Sequence, residues 1–349
     1  MGMIKLPQQS INYFNNNLDE IFHSGNLAEG PWAEKLSEKI KLMTKTKYAI
    51  PTCSNGSGIV GLLQIYKEYY NRSRVMIQSN TMYGVKTMVK SGGCELEGYI
   101  QCRLETLMPS FDDVKQAVND YEGDTQELII LLSDIGGIIN PDEEKISAYC
   151  RDSNIILIED CAHSLGATLN GKHAGTFGDA GVYSFYATKA IFAGEGGIIV
   201  TNNSKIGSLI KKFTIYDRFD QKLEIGINIR PSEIQALLIY SVVKETENII
   251  RNKIAIAKEY INVCNNLNVP FIDQGTKVSK GNYYKFVILS PKYHINEYLP
   301  ALKTMTSAVY NYALGNSEEI SYKHACLPIW YDQGFEVTER VLFELESCF

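Results

Sequence analysis

Two side chains near the middle of the chain can combine acid–base and covalent chemistry. Asp160 closes an apolar run, residues 155–158, through Glu159, and Lys189 lies just beyond a second strand-like run, residues 181–186. A short apolar run that ends in acids predicts a buried parallel strand. Such a strand delivers carboxylates at its C-terminal edge, where α/β proteins place ligands. A lysine held in an apolar setting can lose its proton and attack a carbonyl as a free amine. A carboxylate facing a pyridine nitrogen keeps that nitrogen protonated, which turns the ring into an electron sink. The pair describes a site for pyridoxal 5′-phosphate (PLP). On these residues alone a plainer reading stays open: an α/β crossover whose acid caps a helix and whose lysine is a solvated surface charge.

The elements that must position the pair are legible on both sides of it. Residues 47–51 form a short strand, followed by the turn Cys53-Ser54-Asn55-Gly56-Ser57-Gly58 and an apolar helix from Ile59. Strand, small-residue turn and helix is the arrangement that aims free backbone N–H groups and a positive helix end at a phosphate. Further strands are expected at 75–77 and 127–132. Helices are expected at 11–21, 32–43, from 109, from Asn140 (as N-cap, with Pro141 and Glu143 in the first turn) and at 206–213. Strands alternating with helices predict a parallel α/β sheet. One long helix is expected from Ser232 to about Cys264, then a strand near 283–289 and helices near 295–305 and 338–345.

Read as an ordered set, Glu159-Asp160, Ala162, His163, Gly166-Ala167, Gly178-Asp179, Ser184-Phe185, Lys189 and Gly194-Glu195-Gly196-Gly197 resemble a known core. It is that of the DegT/DnrJ/EryC1/StrS family of PLP-dependent sugar aminotransferases. A second stretch, Gly226, Asn228, Arg230, Ser232-Glu233 and Ala236, resembles another signature of the same family. So do the Gly25…Glu29-Gly30-Pro31 stretch, read as an N-terminal arm, and the Cys326-Leu-Pro-Ile-Trp330 segment. The resemblance implies an aspartate-aminotransferase-like fold (fold type I). Its large domain (1–240) holds a mainly parallel seven-stranded sheet between helices, and a smaller α+β C-terminal domain (241–349) follows.

The same resemblance implies roles. Lys189 bonds the cofactor aldehyde and then moves protons, and Asp160 pairs with the ring nitrogen. His163 contacts the ring, or is a satisfied polar wall residue. Gly56, Ser57, Ser184 and Asn228 hold the phosphate, Asn228 from the neighbouring subunit, so that a homodimer shares its active sites. The 194–197 glycines look structural. The implied reaction takes an amino group from an amino acid, L-glutamate, through the pyridoxamine phosphate form of the cofactor. The acceptor is a nucleotide-linked 4-keto- or 3-keto-6-deoxyhexose. A keto-cyclitol acceptor, or a PLP-binding regulatory protein without turnover, stands as the alternative. Dehydratases of the family carry histidine in place of the lysine, so Lys189 favours amino transfer. The chain departs from the family pattern at Met82-Tyr83, where an aromatic usually stacks on the cofactor, and at 96–102.

Composition excludes other classes. The 349 residues are 45% apolar and 21% charged with a net charge of −6, ordinary globular values and no basic tract for nucleic acid. The eight cysteines include no C-x-x-C pair, and no signal peptide is evident, so reduced thiols and a cytoplasmic location are expected. No apolar run approaches the roughly 18 residues of a membrane span. Five scattered histidines without ligand spacing argue against a metal site.

Overall fold

The computed structural model describes residues 5–216, 223–290, 307–312, 314, 315 and 318–349. Strands β1 (Tyr48–Thr52), β2 (Arg74–Gln78), β3 (Glu95–Ile100), β4 (Leu128–Ser133) and β5 (Ile156–Cys161) enter one sheet. Two-residue strands β6 (Thr168–Leu169) and β7 (Lys172–His173) lie outside it, and β8 (Ala180–Ser184) and β9 (Gly197–Thr201) complete it. The order is β1-β9-β8-β5-β4-β2-β3. Only β9 runs against the others, pairing antiparallel with both β8 and β1. The expected seven-stranded, mainly parallel sheet is present.

Helices cover both faces, which is why the central strands are apolar throughout; β4 is buried at every position. They are α1 (Gln8–Ser24), α2 (Pro31–Thr44), α3 (Asn55–Tyr70), α4 (Tyr83–Ser91), α5 (Phe111–Asn119), α6 (Glu143–Asp152), α7 (Ser204–Ile215), α8 (Glu233–Val243) and α9 (Thr246–Leu267). Alternation along the strands sorts the contacts. Ile158, Val182 and Ile199 meet Ile59 and Leu62 of α3 and Ile210 of α7, whereas Cys161, Tyr183 and Ile198 meet Leu36 of α2 and Ile239 of α8. Beyond α9, β10 (Ser279–Lys280) pairs with β6, and β11 (Phe286–Leu289) pairs antiparallel with β12 (His324–Leu327). That hairpin packs with Tyr260 and Cys264 of α9 and with Val341 and Leu345 of the closing helix, Phe335–Cys348.

Three expectations need correction. The long helix from Ser232 is two helices, α8 and α9, with Lys244 and Glu245 between them. No Gly or Pro marks the break. Buried Thr246 bonds Val243 O through Oγ1 (2.8 Å), a local side-chain bond that competes with continuing the helix. Asn140 is not the N-cap of α6, which starts at Glu143. Its Oδ1 accepts from Asp142 N (3.0 Å) in the preceding turn, and its amide bonds Pro109 O (2.8 Å). Helix α3 begins at Asn55 rather than Ile59, which puts Gly56 and Ser57 inside its first turn. The helix expected near 295–305 lies outside the described residues, and the expected division at 240/241 falls within α8. Among the described residues no helix is long and apolar enough to cross a membrane.

The Glu29-Gly30-Pro31 motif has a tertiary reason. Glu233, fully buried at the start of α8, accepts from Trp32 N (2.6 Å) and Ala33 N (3.2 Å) and so caps α2 from another element. A Cβ at Gly30 would lie 2.7 Å from Glu233 Oε2, so any larger residue would have to displace the capping carboxylate.

Candidate active site

The two acids of β5 point to opposite faces because successive strand residues alternate. Glu159 accepts three backbone N–H bonds, from Gly175 (2.7 Å), Phe177 (2.8 Å) and Gly178 (2.7 Å), and is spent on organising the loop before β8. Asp160 faces the C-terminal edge of the sheet. Its Oδ1 accepts from Asn55 Nδ2 (3.0 Å) and Ala162 N (3.1 Å), and its Oδ2 from Ser133 Oγ (3.2 Å). Ser133 ends β4 in register with Asp160 and pairs with the Thr81 hydroxyl (2.8 Å), three residues beyond β2. Burial pushes the Asp160 carboxyl up, and the charge of Lys189 is the first influence pulling it back. The two residues singled out by the sequence therefore act on each other electrostatically.

Lys189 follows β8 in a turn closed by its own N–H to Tyr186 O (2.9 Å). Its Nζ lies 5.3 Å from the Tyr284 ring centroid and lines a cavity of about 640 Å³. A larger hollow of about 810 Å³ lies at Arg74 and Glu127, where β2 and β4 begin, and holds none of these residues.

His163 is buried, 4.4 Å from the Tyr284 ring and stacked at 6.2 Å on Tyr310. Burial, with the charges of Lys189 and Lys285, holds it well below the usual imidazole range, so it is neutral. Its Nδ1 has no hydrogen-bond partner among the described residues.

Ser54 N-caps α3 in a reciprocal box with Ser57: Ser57 N bonds Ser54 Oγ (3.0 Å) and Ser54 N bonds Ser57 Oγ (3.2 Å). The first turn of α3, with Gly56 and Ser57, thus stands at the same edge as Asp160 and Ser184, the last residue of β8. The 194–197 glycines keep it there. Gly196 (φ +134°) bridges to Ser54, and a Cβ at Gly197 would lie 2.5 Å from the Ser54 carbonyl. Asn228 is exposed, and its Oδ1 accepts from Arg230 N (3.2 Å). The next residue, Ile229, accepts Cys53 N through its carbonyl (2.5 Å), which ties this segment to the end of β1 in its own chain. Met82 and Tyr83 are 40% and 55% exposed, so neither is packed into the site; Tyr83 stands edge-on to Tyr312 instead.

Sequence reasoning passed over Asn55, Ser133, Tyr284 and Tyr310. Ser133 carried the same signal as Asp160, a polar residue ending a buried strand. Asn55 lay inside the turn already singled out. The tyrosines have no local signature.

These residues fit PLP. A buried carboxylate with three donors and a cation acting on it suits a protonated pyridine nitrogen. An unpartnered imidazole nitrogen and a helix first turn offer polar contacts for a ring oxygen and a phosphate.

The chain is similar to several known proteins. GDP-perosamine synthase of Escherichia coli O157:H7 is 26% identical over 284 residues, 80% of this chain and 73% of that protein. The structure of Helicobacter pylori PseC, an aminotransferase involved in the biosynthesis of pseudoaminic acid, superposes with a TM-score of 0.86 at 20% identity. That superposition covers 99% of this chain and 97% of the other. The PLP form of a putative sugar aminotransferase from Streptococcus pneumoniae superposes at 0.82 and 14% identity, covering 99% and 98%. A profile of the DegT/DnrJ/EryC1/StrS aminotransferase family matches residues 8–345, and the chain belongs to that family.

Proposed function

We propose that the chain is a PLP-dependent sugar aminotransferase. It moves an amino group from an amino acid, L-glutamate, to a nucleotide-linked keto-6-deoxyhexose carrying its carbonyl at C3 or C4, in the cytoplasm and as a homodimer. The observation that carries the reading is Asp160, buried, held by Asn55, Ser133 and the Ala162 N–H, with the charge of Lys189 acting on it. The relatives named above, which include a GDP-sugar enzyme and a sugar-acid pathway aminotransferase, support a sugar substrate.

When bound, PLP supplies the electron sink that lets an amino acid Cα–H bond ionise. Lys189 Nζ would hold the cofactor through its aldehyde and, as a free amine, would carry a proton from the donor Cα to the cofactor carbon in one half-reaction and from that carbon to the acceptor carbon in the other. Asp160 would hold the proton on the ring nitrogen. His163, kept neutral, would border the ring without adding charge. Gly56, Ser57 and Ser184 would hold the phosphate, joined by Asn228 from the second subunit.

The test is incubation of the PLP-loaded protein with glutamate and a panel of keto-sugar nucleotides and keto-cyclitols, with 2-oxoglutarate and the aminated product both measured. An aminated nucleotide sugar confirms the reading, and an aminated cyclitol moves the acceptor class. Absence of both products with every acceptor makes the chain a non-catalytic PLP binder.

A further inference from the structure

The cavity beside Lys189 is lined by three more cations, Lys253 of α9, Lys285 and Arg340, against one acid, Glu336. Lys253 is the unusual member. It is 4% exposed, and among the described residues no carboxylate pairs with it and no hydrogen bond meets its ammonium. An ammonium with little water around it and no counter-ion is disfavoured, and the side chain of Lys253 meets open space only at the cavity wall. Here burial, with Lys285 alongside, brings its pKa down to about 7. A charge kept in that state at a cavity wall is suited to meet an anion that arrives with a ligand.

We propose that Lys253 receives the distal carboxylate of a dicarboxylic amino donor whose amino group is presented to Lys189. The inference rests on the role given to Lys189 above. A nucleoside diphosphate is the other anion the reaction could bring, and the cavity fits it less well. Lys253 offers one buried point charge rather than a fan of donors, while Arg340 and Glu336 are exposed at the rim. Ala190, Phe192, Leu327 and Ile329 complete a lining that suits a short methylene chain. The titratable and charged groups that share the cavity wall with Lys253 are Lys189, Tyr284, Lys285, Cys326 of β12, Tyr331, and Glu336 and Arg340 of the closing helix.

A proton count follows. With Lys253 free, its ammonium is largely deprotonated at pH 8; a bound carboxylate restores the charge. Dicarboxylate binding at pH 8 therefore takes up close to one proton, and affinity falls roughly tenfold per pH unit above about 7.

The experiment is calorimetry of PLP-loaded protein with glutarate, a dicarboxylate that cannot transaminate, at pH 8 in buffers of different ionisation enthalpy. It is run on wild type, Lys253→Met and Lys253→Arg, with UDP and dTDP titrated in parallel. Expected are proton uptake in the wild type, and glutarate binding at least tenfold weaker and without uptake in Lys253→Met. Lys253→Arg should bind within a few-fold of wild type, and nucleoside diphosphate binding should be unchanged throughout. Glutarate binding without proton uptake, or a folded Lys253→Met that binds glutarate as the wild type does, overturns the proposal. So does a variant that loses the diphosphate instead. If Lys253→Met does not fold, the wild-type proton count decides alone. A protein that transaminates while its folded Lys253→Met variant binds glutarate as the wild type does overturns this proposal alone, whereas glutarate bound through Lys253 by a protein that fails to transaminate sinks the proposed function and with it the amino-donor assignment, leaving a dicarboxylate site.

Discussion

Asn55 Nδ2 donates to Asp160 Oδ1 at 3.0 Å, and the same amide donates to Val182 O at 2.9 Å. One side chain at the start of α3 thus joins the proposed phosphate turn to the proposed ring-nitrogen partner and to β8, which leads to Lys189. Asn55→Ala removes two buried hydrogen bonds and leaves Asp160 Oδ1 with the Ala162 N–H alone, at a cost of about 1–3 kcal/mol. The same substitution removes a donor that favours ionised Asp160. Urea denaturation and PLP titration of the variant should show both losses; PLP affinity equal to wild type would mean that Asp160 needs no such support.

Lys189→Ala should abolish turnover and remove the visible absorption of the bound cofactor, while leaving Tm within a few degrees because Lys189 is only half-buried. Unchanged turnover would remove Lys189 from the mechanism.

Gly197→Ala should be far more disruptive than its one methyl suggests. The new Cβ would meet the Ser54 carbonyl carbon and oxygen at 2.5 Å and Asn55 N at 2.6 Å, all backbone atoms that cannot rotate away. The start of α3 must shift, at a cost of about 1–3 kcal/mol. PLP affinity should fall with stability, and a variant with wild-type Tm and affinity would show that the helix start has slack.

His324 makes the hairpin of β11 and β12 acid-sensitive. Its Nδ1 lies 2.5 Å from Ile320 O and its Nε2 accepts from Val309 N (2.8 Å), so the network assigns the neutral ring with the proton on Nδ1. Burial lowers its pKa to about 4. The unfolded chain, with an ordinary value near 6.5, takes up a proton that the folded chain refuses between these two pH values. Stability is therefore complete above about pH 6.5 and declines as pH falls towards 4, by about 3 kcal/mol in all from this group. His163, also depressed, adds in the same direction. Denaturation midpoints measured from pH 7 to 4 should fall more steeply in the wild type than in His324→Asn; identical slopes would place the acid sensitivity elsewhere.

Much of this molecule was determined by its amino-acid order. The apolar runs, the acids that end one of them, the glycine spacings and the small-residue turn specify strands, helix starts and their alternation, because these depend on neighbours within a few residues. They suffice for the α/β alternation and for the ordered motifs that resemble the family, and they single out Asp160 and Lys189 as the candidate pair. Tertiary structure decided the rest. Alternation says that Glu159 and Asp160 part company, but only the sheet’s two faces decide that Glu159 meets the loop amides and Asp160 the open edge. Lys253 reads as one more polar position on a long helix until the β11–β12 hairpin and the closing helix pack over it, for burial and the low dielectric it brings are properties of the assembled fold and not of any local stretch of chain.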